Sequence, residues 1–158
     1  LTVREHVADE EMFLANYSDG LADVPVQNMI DLLKTSGKTA CFLAVRPPLT
    51  FHLVEFDEAG QVQRLRASQD SEIWVNGGFF VFRNRIFDYI KEGEELVNEP
   101  FRRLIDEGEL IAYRHNGFFR AMDTLRDKQI LEEMVERGEM PWLPNAWADP
   151  RKALKAGE

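Results

Sequence analysis

The segment "MFLANY", residues 12–17, is a short apolar run that breaks into Ser18-Asp19-Gly20, the pattern of a buried strand ending in a turn. Val26, Met29, Ile30 and Leu33 then recur at helical spacing until Gly37 stops the pattern, and a second apolar run, "TACFLAV", follows at residues 39–45. Strand, helix and strand joined by short links predict the right-handed crossover unit of a parallel sheet. "TFHLVEFDEAGQVQRLRAS" alternates apolar and polar positions on either side of Asp57-Glu58-Ala59-Gly60, as a hairpin does. "WVNGGFFVF" is a further apolar strand entered through Asn76-Gly77-Gly78. "RIFDYIKEG" and "NEPFRRLIDEGEL" have helical patterns, the second with Pro100 in its first turn. "LIAYRHNGFFRAMD" reads as strand, turn, strand, and "TLRDKQILEEMVERGE" as an amphipathic helix with Leu125, Ile130, Leu131, Met134 and Val135 on its apolar side. The expected fold is α/β: a Rossmann-like domain with a mostly parallel sheet and an attached antiparallel hairpin. It occupies residues 1–143 and is followed by a polar tail, 144–158.

Composition narrows the function classes. The chain has 158 residues, suited to one domain with a single core. Its net charge of −9 argues against a nucleic-acid partner, while leaving room for a local basic pocket that takes one phosphorylated small molecule. No apolar stretch approaches the ~20 residues of a membrane span, and no basic-then-apolar leader opens the sequence, so a soluble, cytoplasmic protein with no membrane partner is expected. Cys41, the one cysteine, lies within an apolar run and reads as a small buried hydrophobe. Leu1 stands where a start methionine would, which suggests a cut chain. Nothing in the pattern fixes an oligomeric state, and a homo-oligomer stays open.

Asp19 lies just beyond the carboxyl end of a predicted parallel strand, where open α/β sheets place ligands, and Gly20 leaves room for close approach; equally, Asp-Gly is an ordinary turn. Asp123 stands between an apolar strand and the last helix, where either it or Thr124 can cap that helix. Two carboxylates at strand ends of one sheet are alternatively a Mg²⁺ site, because Mg²⁺ prefers oxygen ligands and keeps substrate phosphates in its shell. Paired glycines after Asn76 imply either a bulge or close approach of a ligand whose hydroxyls Asn76 reads. Arg114, Arg120 and Arg126 are candidate phosphate contacts, and His115 reads as an exposed loop histidine.

Taken together, "YSDGLADV", "WVNGGFFVF", "GELIAYRHNGFFRAMDTLRDKQILEEM" and the closing Pro141-Trp142 resemble the later part of the glucose-1-phosphate cytidylyltransferases, which are sugar-nucleotide pyrophosphorylases. The resemblance covers residues 1–143. It implies an enzyme that joins CTP, a nucleoside triphosphate, to glucose 1-phosphate, a hexose 1-phosphate, giving CDP-glucose for deoxysugars of surface polysaccharides. It also implies that Asp19 and Asp123 together hold the catalytic Mg²⁺ and that Asn76, with Gly77 and Gly78, lies near the hexose. No catalytic side chain is assigned within the chain itself, because the chemistry is in-line attack of a sugar-phosphate oxygen on the nucleotide α-phosphorus.

Three departures accompany the resemblance. The family's Gly-rich nucleotide loop and its Pro-Lys-Pro segment are absent, so the chain is expected to be a fragment whose complete form carries the nucleotide site. The family's Glu-Lys-Pro motif, whose lysine grips the sugar phosphate, is replaced by Arg66-Ala67-Ser68-Gln69, leaving Arg66 as the candidate substitute. Thr50-Phe51-His52 stands where the family has Arg-Phe-Gly, which puts bulk into the sugar pocket. These changes keep a second reading alive, a diverged, non-catalytic binding or regulatory module of the same fold.

Overall fold

The computed structural model describes residues 3–46, 51–68 and 72–143. The tail, Thr50 and Gln69 therefore lie outside the described residues. Strands β1 (Met12–Asn16), β2 (Gly20–Ala22), β3 (Ala40–Val45), β4 (His52–Phe56), β5 (Val62–Ala67), β6 (Val75–Arg83), β7 (Leu110–His115) and β8 (Phe119–Ala121) alternate with helices α1 (Val26–Ser36), α2 (Glu99–Asp106) and α3 (Leu125–Arg137).

A mixed four-stranded sheet in the order β1-β6-β3-β7 forms the centre. β6 is antiparallel to both β1 and β3, and β7 is parallel to β3, so three of the four strands run the same way. The crossover through α1 does return the chain parallel to β1. The two strands are nevertheless not neighbours, because β6 inserts between them. The predicted strand-turn-strand at residues 110–123 also divides: β7 joins the central sheet, whereas β8 pairs with β2 in a separate antiparallel ribbon. "RIFDYIKEG" contributes only a short 3-10 turn, Asn84–Asp88.

Alternation along the central strands produces two apolar layers. Cys41, Leu43 and Val45 join Val81 against Met29 and Leu33 of α1. On the opposite face Ala40, Phe80 and Phe82 pack with Phe101 and Leu104 of α2 and with Ile86 and Phe87. A strand covered on both faces reads as a continuous apolar run, which is why β3 shows no polar alternation. The predicted hairpin forms from β4 and β5, and it exposes Val54, Phe56, Val62 and Leu65.

Local signals end the helices as expected. Gly37 takes a left-handed conformation, φ 66°, after α1. Thr124 caps α3: its side chain accepts from the Asp127 backbone while the Asp127 carboxylate accepts from the Thr124 backbone, a reciprocal arrangement worth about 1 kcal/mol.

The segment before α2 is tied down by charge. Arg103 donates to the Glu94 carboxylate and to the Tyr89 carbonyl, and the Lys91 backbone donates to Glu94 at 3.0 Å. Hydrogen bonding from Arg103 holds the Glu94 carboxyl down to about 2. A lowered carboxyl contributes stability that is complete above its unfolded value and is lost as pH falls through the folded one. Thermal unfolding between pH 6 and pH 3 is therefore expected to show a smaller acid loss in Glu94→Gln than in the parent chain; equal losses would contradict this.

Candidate functional site

The carboxyl ends of β1, β3 and β7 and the start of β6 converge on one edge of the sheet, since Ala44 and Val45 pair with Asn76 and Val75 on one side and with Arg114 and His115 on the other. β1 leads at that edge into Tyr17, whose backbone N–H donates to the Gly78 carbonyl at 2.8 Å. Two residues later the Asp19 carbonyl accepts from the Met122 N–H at 2.9 Å, so the ribbon of β2 and β8 carries Asp19 and Asp123 to the same end. The backbones of the two predicted residues thus lie on adjacent rungs at one end of the ribbon, across a large sequence separation. Neither has a hydrogen-bond or ion-pair partner among the described residues. Because Thr124 takes the cap of α3, the capping alternative for Asp123 falls away.

This donor set has the chemistry for Mg²⁺, a hard cation that is held by one or two carboxylates together with water and substrate phosphates. It does not suit an all-protein metal cage: no cluster of three or more His, Cys, Asp or Glu with metal-binding geometry occurs among the described residues.

Asn76, Gly77 and Gly78 lie beside Tyr17, and both glycines have packing reasons for being glycine. A Cβ at Gly77 would come within 3.0 Å of Leu43, and one at Gly78, where φ is +72°, within 2.6 Å of the Tyr17 ring. The β3–β6 register shifts at this point, so the bulge is real. The Asn76 side chain accepts from the Gly78 N–H at 2.9 Å. Burial pushes the Tyr17 hydroxyl upward with help from Glu95, and a hydrogen bond with Asn76 opposes the shift. Gly20 has no comparable need, since a Cβ there would make ordinary contacts from 3.5 Å outward.

Asn76 also borders a cleft of about 610 Å³ on the α2 face, lined by Phe42, Ala44, Trp74, Phe101, Arg102 and Arg114 among others. On its other side Asp19 borders a groove of about 670 Å³ between the ribbon and α3, floored by Leu21, Met122, Leu131 and Trp142.

The remaining candidates separate clearly. Arg66 is not brought to the cleft; it pairs with Glu55 across the hairpin at 2.8 Å. Its Nε is enclosed and has no hydrogen-bond partner among the described residues. His52 is exposed at the start of β4, opposite Ala67. Arg120 pairs with Asp127 at 3.0 Å, and Arg126 is exposed on α3, leaving Arg114 as the one of the three predicted arginines in the cleft. His115 is not an exposed loop residue: its side chain is 10% exposed and its Nε2 lies 2.6 Å from Asp23, because it closes β7 opposite Val45. Cys41 is buried, and burial raises its thiol to about 11, too high for a nucleophile near neutrality. Arg102 lines the cleft although no sequence motif marked it.

No family profile matches the chain. It is 40% identical over 142 residues to glucose-1-phosphate cytidylyltransferases of Salmonella typhi and Salmonella typhimurium, covering 89% of this chain and 55% of each relative. A Bacillus subtilis protein named probable glucose-1-phosphate cytidylyltransferase is 31% identical over 144 residues, covering 90% of this chain and 56% of that protein. The chain spans about half the length of the curated relatives it matches. A crystal structure from Bacillus anthracis, assigned as a glucose-1-phosphate thymidylyltransferase and solved with a sucrose, superposes with a TM-score of 0.59 at 12% identity, covering 84% of this chain and 57% of that one. The sequence resemblance is therefore borne out, and the structural likeness supports the nucleotidyltransferase fold. Among the described residues no helix is long and apolar enough to cross a membrane.

Proposed function

We propose that this chain is the sugar- and metal-binding part of a sugar-1-phosphate nucleotidyltransferase, and that the complete protein joins CTP and glucose 1-phosphate to give CDP-glucose and pyrophosphate. The observation that supports this reading is the backbone juxtaposition of Asp19 and Asp123, neither carboxylate having a partner among the described residues, near the Asn76-Gly77-Gly78 segment at the carboxyl edge of the sheet. The choice of CTP and glucose rests on the names of the relatives.

In this reading an oxygen of the sugar phosphate attacks the α-phosphorus of the nucleotide and the P–O bond to pyrophosphate breaks, so no protein nucleophile is required. Asp19 and Asp123 would hold Mg²⁺, which supplies charge neutralisation for the phosphates when bound. Asn76 borders the cleft with its oxygen engaged by Gly78 and one amide donor shared with the Tyr17 hydroxyl, so in this reading its remaining donor orients a hydroxyl oxygen of the hexose. Positioning by these groups, rather than covalent participation, supplies the rate.

The pairing of Arg66 with Glu55 favours the second reading, a binding module without catalysis, because the arginine that stands in place of the missing lysine is already held by a carboxylate. Pyrophosphate release from CTP and glucose 1-phosphate by the complete protein, with Mg²⁺, separates the two. Sustained turnover is expected; a folded complete protein that binds both substrates and releases none would establish the binding module.

A further inference from the structure

We propose that the phosphate of the sugar substrate is gripped by Arg114, assisted by Arg102, in the cleft on the α2 face, in place of the lysine the chain lacks. The inference rests on the nucleotidyltransferase reading for the identity of the ligand, a hexose phosphomonoester, but its geometry stands apart from the metal site.

Charge singles out this cleft. In a chain of net charge −9 its charged lining residues are Arg102 and Arg114, both cationic. Arg66, Arg83, Arg85, Arg103, Arg120 and Arg137 are each held by a carboxylate. Neither Arg102 nor Arg114 has an ion-pair partner among the described residues. Two unpaired guanidinia in a concave site are poised for a doubly charged oxyanion, which the planar fork binds through two parallel hydrogen bonds.

Register supplies the distance. Ala44 pairs with Asn76 on one side and Arg114 on the other, so Asn76, Ala44 and Arg114 form one row across three strands. Neighbouring strands lie ~4.8 Å apart, which sets the Asn76 and Arg114 backbones ~10 Å from each other. Only the methyl group of Ala44 stands between them, so the row is open to a ligand. A hexose hydroxyl group at Asn76 and a phosphate at Arg114 then span a single ligand. Phe42 and Phe101 supply an apolar wall for the sugar ring's C–H groups, and Arg46, stacked 5.3 Å over Trp74, adds positive charge near the cleft.

The test is calorimetric titration of the 158-residue chain, without Mg²⁺ or nucleotide, using glucose 1-phosphate, inorganic phosphate and glucose. Glucose 1-phosphate is expected to bind more tightly than either fragment. Arg114→Gln should weaken it at least about tenfold, the loss of a charge-assisted pair. Arg114→Lys should recover part of that loss, and Arg102→Gln should cost a few-fold. Arg114 is exposed, so unfolding midpoints should be unchanged, and the Lys variant guards against a folding defect in the Gln variant. Unaltered binding in Arg114→Gln, a loss that falls on Arg66→Gln instead, or no binding by the folded parent chain would each overturn the proposal. In the complete protein, transfer with the KM for sugar phosphate untouched by Arg114→Gln overturns the grip and leaves the activity standing. Arg114-dependent binding without any transfer does the reverse.

Discussion

Asp123→Asn in the complete protein is expected to slow nucleotidyl transfer by about 10²–10³-fold, the scale seen when one preorganised electrostatic contact to a reacting centre is removed. Asp19→Asn should do the same. Both carboxylates lie at the end of the β2–β8 ribbon without partners among the described residues, so their charge is uncommitted to the fold. Stability should accordingly change by no more than about 0.5 kcal/mol, because the capping of α3 belongs to Thr124 and Asp127. The pair of measurements discriminates: a large loss of rate with an unmoved unfolding midpoint supports metal holding. Full activity in either variant would remove that carboxylate from the site.

The second large effect is structural. Gly78→Ala is expected to destabilise the chain by about 2–4 kcal/mol, since it adds strain at a left-handed backbone to overpacking against a ring. The Gly78 φ is +72° and a methyl there would sit 2.6 Å from Tyr17 Cδ2. Tyr17 cannot easily withdraw, because its backbone is bonded to Gly78 and its ring stands edge-on to Phe80 at 5.4 Å. Removing the ring in Gly78→Ala/Tyr17→Ala should relieve the steric part and keep the conformational part, giving a coupling measurable by a double-mutant cycle in urea. A Gly78→Ala chain within 0.5 kcal/mol of the parent would show that the loop adapts at no cost.

The elements most legible in the sequence were those specified by local chemistry. The helical spacing of Met29 and Leu33, the stop at Gly37 and the turn at 57–60 all depend on residues near one another, and the structure has them. Outside the hairpin, the neighbours of the strands were not legible, because a strand's own pattern carries no record of a distant partner. "LIAYRHNGFFRAMD" therefore suggested two strands correctly without showing that β7 and β8 join different sheets. The same limit governs the site. The chemistry of Asp19 and Asp123 was readable from strand ends, whereas the choice among arginines depended on which had carboxylates beside them. Glu55 lies close to Arg66 only because the hairpin register places it there, and Asp127 reaches Arg120 only once α3 has folded back. His115 was misread for a related reason: Asp23, which encloses it, is distant in sequence.

The insertion of β6 between β1 and β3 also orders events in time. β1 and β3 make no ladder with each other, so neither can complete its backbone bonds on that side until Val75–Arg83 has been synthesised and placed between them. Pairing Phe13 with Phe82 closes a loop containing α1, β3 and the whole hairpin, and chain entropy is lost before those contacts form. Sheets closed by such distant segments fold more slowly than helical chains of similar size. While a nascent chain waits for β6, the aromatic face destined for Phe80 and Phe82 stays uncovered, and Phe13 and Phe42 are open to other chains. The edge that unites Tyr17, Asn76 and Arg114 is consequently among the last features to exist, and a chain that stops short of β6 has neither sheet nor site.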